Sequence, residues 1–185
     1  MSGRLSALEP PFLMLRRASR ADAEQLSRFA ARVFYETFAH TATEADMRKY
    51  VSEAFSPAIQ ADEIADDHAT VILAENAAKT LFGYAYFIKE PTSIELRRIY
   101  VAASFQGRGL AKRLLDEVIG VARERRATRL WLSVWHRNER AIAFYRKHGF
   151  LISNTLSFDW GDGDKEAGLI MEMTLFDGRS STAVR

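Results

Sequence analysis

Apolar residues along this chain follow two habits, short β-rich runs and longer stretches at helical spacing, and the changes between them mark the elements. Phe12 to Arg17, Thr70 to Ala74, Leu81 to Lys89, Ile94 to Val101 and Arg129 to Trp135 read as strands. Two more are expected, near Phe150 to Trp160 and from Leu169 to Phe176, as a hairpin around the polar loop Gly161 to Gly168. Leu26, Phe29, Ala30, Val33, Phe34 and Phe38 share one face of a first helix, capped by Ser19 with Asp22 placed as in a capping box. A second helix starts at Thr43 and carries Met47, Tyr50, Val51 and Phe55. Helix then restarts at Ser56-Pro57, with proline where its missing N–H costs nothing. Leu110, Leu114, Leu115, Val118, Ile119 and Ala122 form the stripe of a strongly amphipathic helix, and Asn138 to His148 is a short helix that Gly149 stops.

In the order β-α-α-β-β-β-α-β-α-β-β, these elements predict an α+β or mixed-sheet α/β fold with one parallel crossover, carried by the amphipathic helix that follows Val101. One domain over 12–176 accounts for all of them, with loose arms at 1–11 and 177–185.

Composition narrows the function classes. The chain has 26 basic and 24 acidic residues, a net charge of +2, and the charges are spread rather than gathered in a tail. The run Arg123 to Arg126 reads as a solvated helix end, so no nucleic-acid partner is expected. With no cysteine, disulfides, thiolate metal sites and a cysteine nucleophile are excluded. His40, His68, His136 and His148 lack metal-ligand spacing, so no metal is expected. No apolar run reaches about 18 residues and no signal-peptide core is visible, which predicts a cytoplasmic protein without a membrane partner.

Chemistry concentrates at Gln106-Gly107-Arg108-Gly109-Leu110-Ala111, between an expected strand and the amphipathic helix. The first N–H groups of a helix lack internal partners and carry the positive end of its dipole, so this turn is a candidate cradle for a phosphate or pyrophosphate. It fits neither the three-glycine dinucleotide loop nor the P-loop.

That stretch resembles motif A of the GNAT superfamily of acetyl-CoA-dependent N-acetyltransferases, [QR]-x-x-G-x-[GA]. A second stretch, Asn138-x-x-Ala141-x-x-Phe144-Tyr145-x-x-x-Gly149-Phe150, is similar to the family's later motif. The resemblance implies a mostly antiparallel mixed sheet of about seven strands with a central splay, flanked by four to five helices. It implies acetyl-CoA as cosubstrate, with the pyrophosphate on the amides of Gly107, Arg108, Gly109, Leu110 and Ala111 after Gln106. The main chain of Ile99, Tyr100 and Val101 would pair with the pantetheine, and Asn138 would hydrogen-bond it or cap its helix. Arg108 and Lys112 are candidates for added charge attraction.

The same resemblance makes Tyr145 the candidate acid for the departing thiolate and Glu95 the candidate base or water-orienting group; His136, at the C-terminal end of its expected strand, is a further base candidate because an imidazole titrates near working pH. Within the family the chain looks closest to the PaiA-like polyamine branch, through Glu95-Leu96-x-Arg98-Ile99-Tyr100-Val101, Leu130 to Asn138 and Asp162 to Met171. Spermidine or spermine would suit an acidic pocket, for which Glu36, Glu44, Asp46 and Glu53 are candidates. The segment 161–167 departs from the branch pattern. A small-amine acetyltransferase, a protein N-terminal or lysine acetyltransferase and a non-catalytic acetyl-CoA sensor therefore all stay open. A homodimer is an expectation from the family.

Overall fold

In the computed structural model, which describes residues 13–41, 43–159 and 165–176, the strands are β1 (Met14–Arg17), β2 (Ala69–Glu75), β3 (Leu81–Lys89), β4 (Ser93–Val101), β5 (Arg129–Trp135), β6 (Leu151–Asp159) and β7 (Lys165–Thr174). The helices are α1 (Ala23–Phe38), α2 (Glu44–Ala54), α3 (Pro57–Ala65), α4 (Leu110–Glu124) and α5 (Glu139–Lys147). The seven strands form one sheet in the order β1-β2-β3-β4-β5-β7-β6. β1 runs antiparallel to β2, β5 to β7 and β6 to β7, whereas β4 and β5 are parallel across the α4 crossover. The fold is therefore the expected mixed α+β arrangement.

Local signals placed the starts of several elements. Ser19 and Asp22 form the capping box, closing a single 3-10 turn that leads into α1. Thr43 accepts from Asp46 N–H at the start of α2, Ser56 accepts from Ile59 N–H at the start of α3, and Pro57 stands in the first turn. Several boundaries differ from expectation. Phe12 lies outside the described residues, and β1 begins at Met14. β7 begins at Lys165 rather than Leu169, because Ala167 and Gly168 pair with Ser157 and Leu156 of β6, and Gly168 also faces Trp135 of β5. Ladder bonds to two neighbours outweigh the loop-like composition of this segment. The rest of the expected polar loop, 161–164, and both terminal arms lie outside the described residues.

The described chain divides into two compact units. The first contains the residues up to Tyr86 together with Arg98–Asp116. Its core takes in the α1 face Leu26, Phe29, Ala30, Val33 and Phe34, every residue of β2, and Leu110, Leu114 and Leu115. Gly83 is a point of close approach here: a Cβ on it would meet Tyr100 O at 3.0 Å and Leu114 and Leu110 side chains at 3.2 and 3.3 Å. The absence of that carbon lets the first turns of α4 lie down on β3. The second unit contains Phe87–Arg97 and the residues from Glu117 onward. Ile94, Leu96, Val118, Ala122, Leu130, Leu132, Phe150 and Met171 are buried in it.

The β4–β5 ladder is short. It pairs Ser93 with Arg129, Ile94 with Leu130 and Glu95 with Trp131, and its register ends there, although β4 runs on to Val101 and β5 to Trp135.

Candidate active site

The glycine loop is held in a shape that glycine adopts without strain and other residues do not. Gly107 and Gly109 have φ of 75° and 79°, and a Cβ at either would meet nothing within 4 Å. Glycine is therefore required for the backbone dihedral and not for room, since side-chain-bearing residues pay about 1–2 kcal/mol in this region. A short 3-10 turn, Ala103–Phe105, precedes the loop. Within it Gln106 N–H donates to Ala103 O at 3.2 Å, and Arg108 N–H donates to Phe105 O at 3.3 Å. The Arg108 amide, expected in the anion cradle, is thus turned back onto its own loop. The first helical bond recorded for α4 is Arg113 N–H to Gly109 O at 3.0 Å, so the amides of Leu110, Ala111 and Lys112 belong to the turn whose donors have no intrahelical partner.

Side chains hold this loop from two sides. Gln106 Nε2 donates to Val101 O at 3.4 Å, tying the loop to the end of β4, and Arg113 Nη2 donates to Leu13 O at 3.1 Å, tying α4 to the chain ahead of β1. The Arg108 guanidinium lies 5.9 Å from the Phe105 ring centroid, and Lys112 pairs with Asp116 at 2.6 Å. Ile99 and Tyr100 are half-buried and Val101 is buried.

In the second unit, Tyr145 sits in the last turns of α5, buried, with its ring 5.2 Å from Phe144 and 5.4 Å from Phe150. Burial raises its phenol above the ordinary tyrosine value, so it holds its proton throughout the neutral range. The helix end fixes its position. Gly149 N–H bonds Arg146 O and Phe150 N–H bonds Tyr145 O, at 3.1 and 3.0 Å, which is a Schellman closure around a glycine with φ of 91°. Asn138 caps the other end, its Oδ1 accepting from Ala141 N–H at 3.1 Å.

Glu95 is buried at the last rung of the β4–β5 ladder. Its Oε2 lies 2.8 Å from Arg97 Nε. Desolvation raises its carboxyl above the usual range, opposed by Arg97 and assisted by Glu90. His136 Nδ1 is 2.6 Å from Ala167 O, and the His148 ring closes on Phe144 O at 2.7 Å. Both imidazoles therefore have one nitrogen engaged by main chain.

The acetyltransferase (GNAT) family profile matches residues 31–150. The chain belongs to the GNAT acetyltransferase family. An uncharacterized N-acetyltransferase of Mycobacterium bovis is 30% identical over 141 residues, 76% of this chain and 90% of the relative. N-alpha-acetyltransferase RimI of Mycobacterium tuberculosis is 29% identical over 136 residues, 71% of this chain and 74% of that protein. The structure is similar in fold to a PaiA N-acetyltransferase from Thermoplasma acidophilum in complex with coenzyme A, with a TM-score of 0.75 and 23% identity over 88% of this chain and 98% of the other. Membership in the family supports acetyl transfer with acetyl-CoA as donor. The loop fits such a donor: its glycines leave the backbone bare, and the amides at the start of α4 are the group type that receives a pyrophosphate.

The acids proposed from sequence for an acceptor pocket are on solvated helix faces. Glu36 lies 3.8 Å from Arg32 and Glu44 pairs with Arg48 at 2.5 Å, both at i,i+4; the Thr43 hydroxyl donates to Asp46, and Glu53 is exposed. Sequence reading missed a different set. Arg98 Nη1 pairs with Glu63 of α3 at 2.8 Å, and its guanidinium carbon lies 4.9 Å from the Phe55 and 5.1 Å from the Tyr86 ring centroids. Phe34, Phe38, Tyr50, Phe55 and Tyr100 form a connected group of rings beside them. Alternation along β4 puts Arg98 and Tyr100 on one face, but Glu63 is 35 residues away and carries no spacing signal.

Proposed function

We propose that this GNAT protein moves an acetyl group from acetyl-CoA to a primary amine, a polyamine or another small amine, by direct attack of the amine on the thioester. The observation that carries the reading is the loop of residues 106–111, whose two positive-φ glycines expose main chain ahead of α4. The amides of Gly107, Gly109, Leu110 and Ala111 hold the pyrophosphate, joined by Arg108 if its long bond to Phe105 O opens. The main chain of Ile99 to Val101 receives the pantetheine, and Asn138 contributes through its cap of α5.

Glu95 takes the proton that the amine loses as its nitrogen bonds to the carbonyl carbon, directly or through water. Tyr145 gives a proton to the thiolate as the carbon–sulfur bond breaks. A phenol kept protonated by burial suits the second role, and a carboxyl made more basic by desolvation suits the first.

Replacing Tyr145 with Phe preserves the ring packing and removes the proton. Turnover is expected to fall by roughly 10-fold to 1000-fold with an unchanged melting temperature; wild-type turnover in that variant rejects Tyr145 as the acid. The acceptor is tested by a screen with acetyl-CoA, following free thiol over polyamines, amino acids, aminoglycosides and peptides. Similarity to N-alpha-acetyltransferase RimI favours a protein amine as the second reading. A polyamine preference over peptide N-termini retains the first. Donor binding with no acceptor turned over would point instead to a sensor.

A further inference from the structure

Glu95 has one cation paired with it among the described residues, and that cation sits on the other side of the solvent boundary: the Glu95 side chain is 10% exposed, the Arg97 side chain 54%. Residues two apart on a strand project to the same face, so β4 itself brings the pair together without help from any distant element. Across the ladder the partner of Glu95 is Trp131, which is uncharged. The Trp131 indole Nε1 donates to Glu90 Oε2 at 3.1 Å, so its one hydrogen-bond donor is spent on that carboxylate.

The other charges around Glu95 are already committed. Glu90 also accepts from the Ser93 hydroxyl and adds repulsion toward Glu95. Arg129 of β5 lies over the Trp131 ring at 5.8 Å and reaches Glu172 of β7 at 3.3 Å. Arg97 is left as the group that compensates a carboxylate taken out of water beside another carboxylate.

We propose that Arg97 is a positioning residue for acetyl transfer, holding the Glu95 carboxylate in one orientation and in its proton-accepting form at the rung where the β4–β5 ladder ends. This rests on Glu95 accepting the amine proton. It adds that the accepting state of Glu95 is set by an exposed side chain whose removal the fold tolerates. Removing Arg97 leaves desolvation and Glu90 unopposed, and the Glu95 carboxyl then holds its proton to higher pH. Activity that needs the deprotonated form rises later along the pH axis.

The test is a ¹³C NMR titration of the Glu95 side-chain carboxyl, assigned with Glu95→Gln, in the parent, Arg97→Gln and Arg97→Lys. Spermidine and acetyl-CoA then supply pH profiles of kcat/KM for the same proteins. In Arg97→Gln the Glu95 midpoint is expected to rise by about 0.5–1 unit, a partly screened opposite charge being removed. The acid limb of kcat/KM should move by the same amount. The melting temperature should stay within about 2 °C of the parent, as expected for an exposed cation. Arg97→Lys should restore the parent midpoint. An unmoved Glu95 midpoint in Arg97→Gln overturns the proposal while leaving Glu95 free to be the base. A midpoint that moves without the acid limb, or an acid limb that survives in Glu95→Gln, overturns Glu95 as base and the catalytic role of Arg97 with it.

Discussion

The glycine loop and the helical region from α1 to α3 both belong to the first compact unit, and they reach their arrangement by opposite routes. The loop is local. Its conformation follows from two residues that tolerate φ near 75–79°, and its donors follow from the start of a helix. The helical region depends on distance partners: Arg98 reaches Glu63 and the rings of Phe55 and Tyr86, while Ser27 donates to Phe55 O at 2.5 Å. Of the acids expected to line an acceptor pocket, Glu36 and Glu44 pair within their own helices instead. Chemistry written in the backbone can thus be read from a few adjacent residues, and chemistry written in side-chain neighbours cannot.

Breaking the Arg98–Glu63 pair should have the largest effect. Arg98→Ala leaves a mostly buried carboxylate without its cation and is expected to cost about 2–4 kcal/mol, measured by urea unfolding. Glu63→Gln with Arg98→Met should recover most of the loss; equal loss in the double variant would show that ring packing, not charge, holds the region.

The loop is probed by Gly109→Ala, which forces an ordinary side chain into φ of 79°. The free loop of this variant relaxes and must regain the dihedral on binding, so about 1.4 kcal/mol of strain corresponds to roughly tenfold weaker acetyl-CoA binding by calorimetry. Gly120→Ala in α4 is the control, because nothing lies within 4 Å of its added carbon and glycine is a poor helix former. It should bind acetyl-CoA as the parent does. Equal weakening in both would mean that the loop dihedral is not what matters.

A smaller effect is expected at the start of the helical region, where Arg16 bridges Asp22 and Glu75 at 2.7 and 2.8 Å. Hydrogen bonds from Arg16 lower both carboxyls from their ordinary values. Their stabilisation is complete above the usual carboxylate range and is lost as pH falls through the lowered native values. Arg16→Gln should therefore start acid unfolding at a higher pH, seen by circular dichroism, and cost on the order of 1 kcal/mol at neutral pH. An unchanged acid transition would remove this bridge from the account. The smallest expected effect is that of Glu36→Gln or Glu44→Gln. Each should change kcat/KM for spermidine by less than about twofold, as exposed i,i+4 partners do. A tenfold loss would return these acids to the acceptor site and reverse the contrast between the two regions.

Legibility in the sequence followed the same division. Leu81–Lys89 and Arg129–Trp135 appear as expected to the residue, because their apolar runs meet turn residues at both ends. The caps at Ser19, Thr43, Ser56 and Asn138 were visible because a cap is a contact between residues three apart. β7 was placed late because its first residues are polar and are held by ladders to β5 and β6. Arg108 was counted as a free donor because the turn that draws its amide to Phe105 leaves no mark in composition.

By itself the sequence determined the elements, the shape-permitting glycines, and the cap and stop around Tyr145, since all of these act within a few residues of chain. Only the tertiary structure decided that Glu95 stands where the β4–β5 ladder ends, that Gly83 makes room for α4, and that Arg98 finds Glu63. Those depend on which strand lies beside which and how closely a helix descends on them. Such distances are set by packing across the sheet, and no spacing along the chain encodes them.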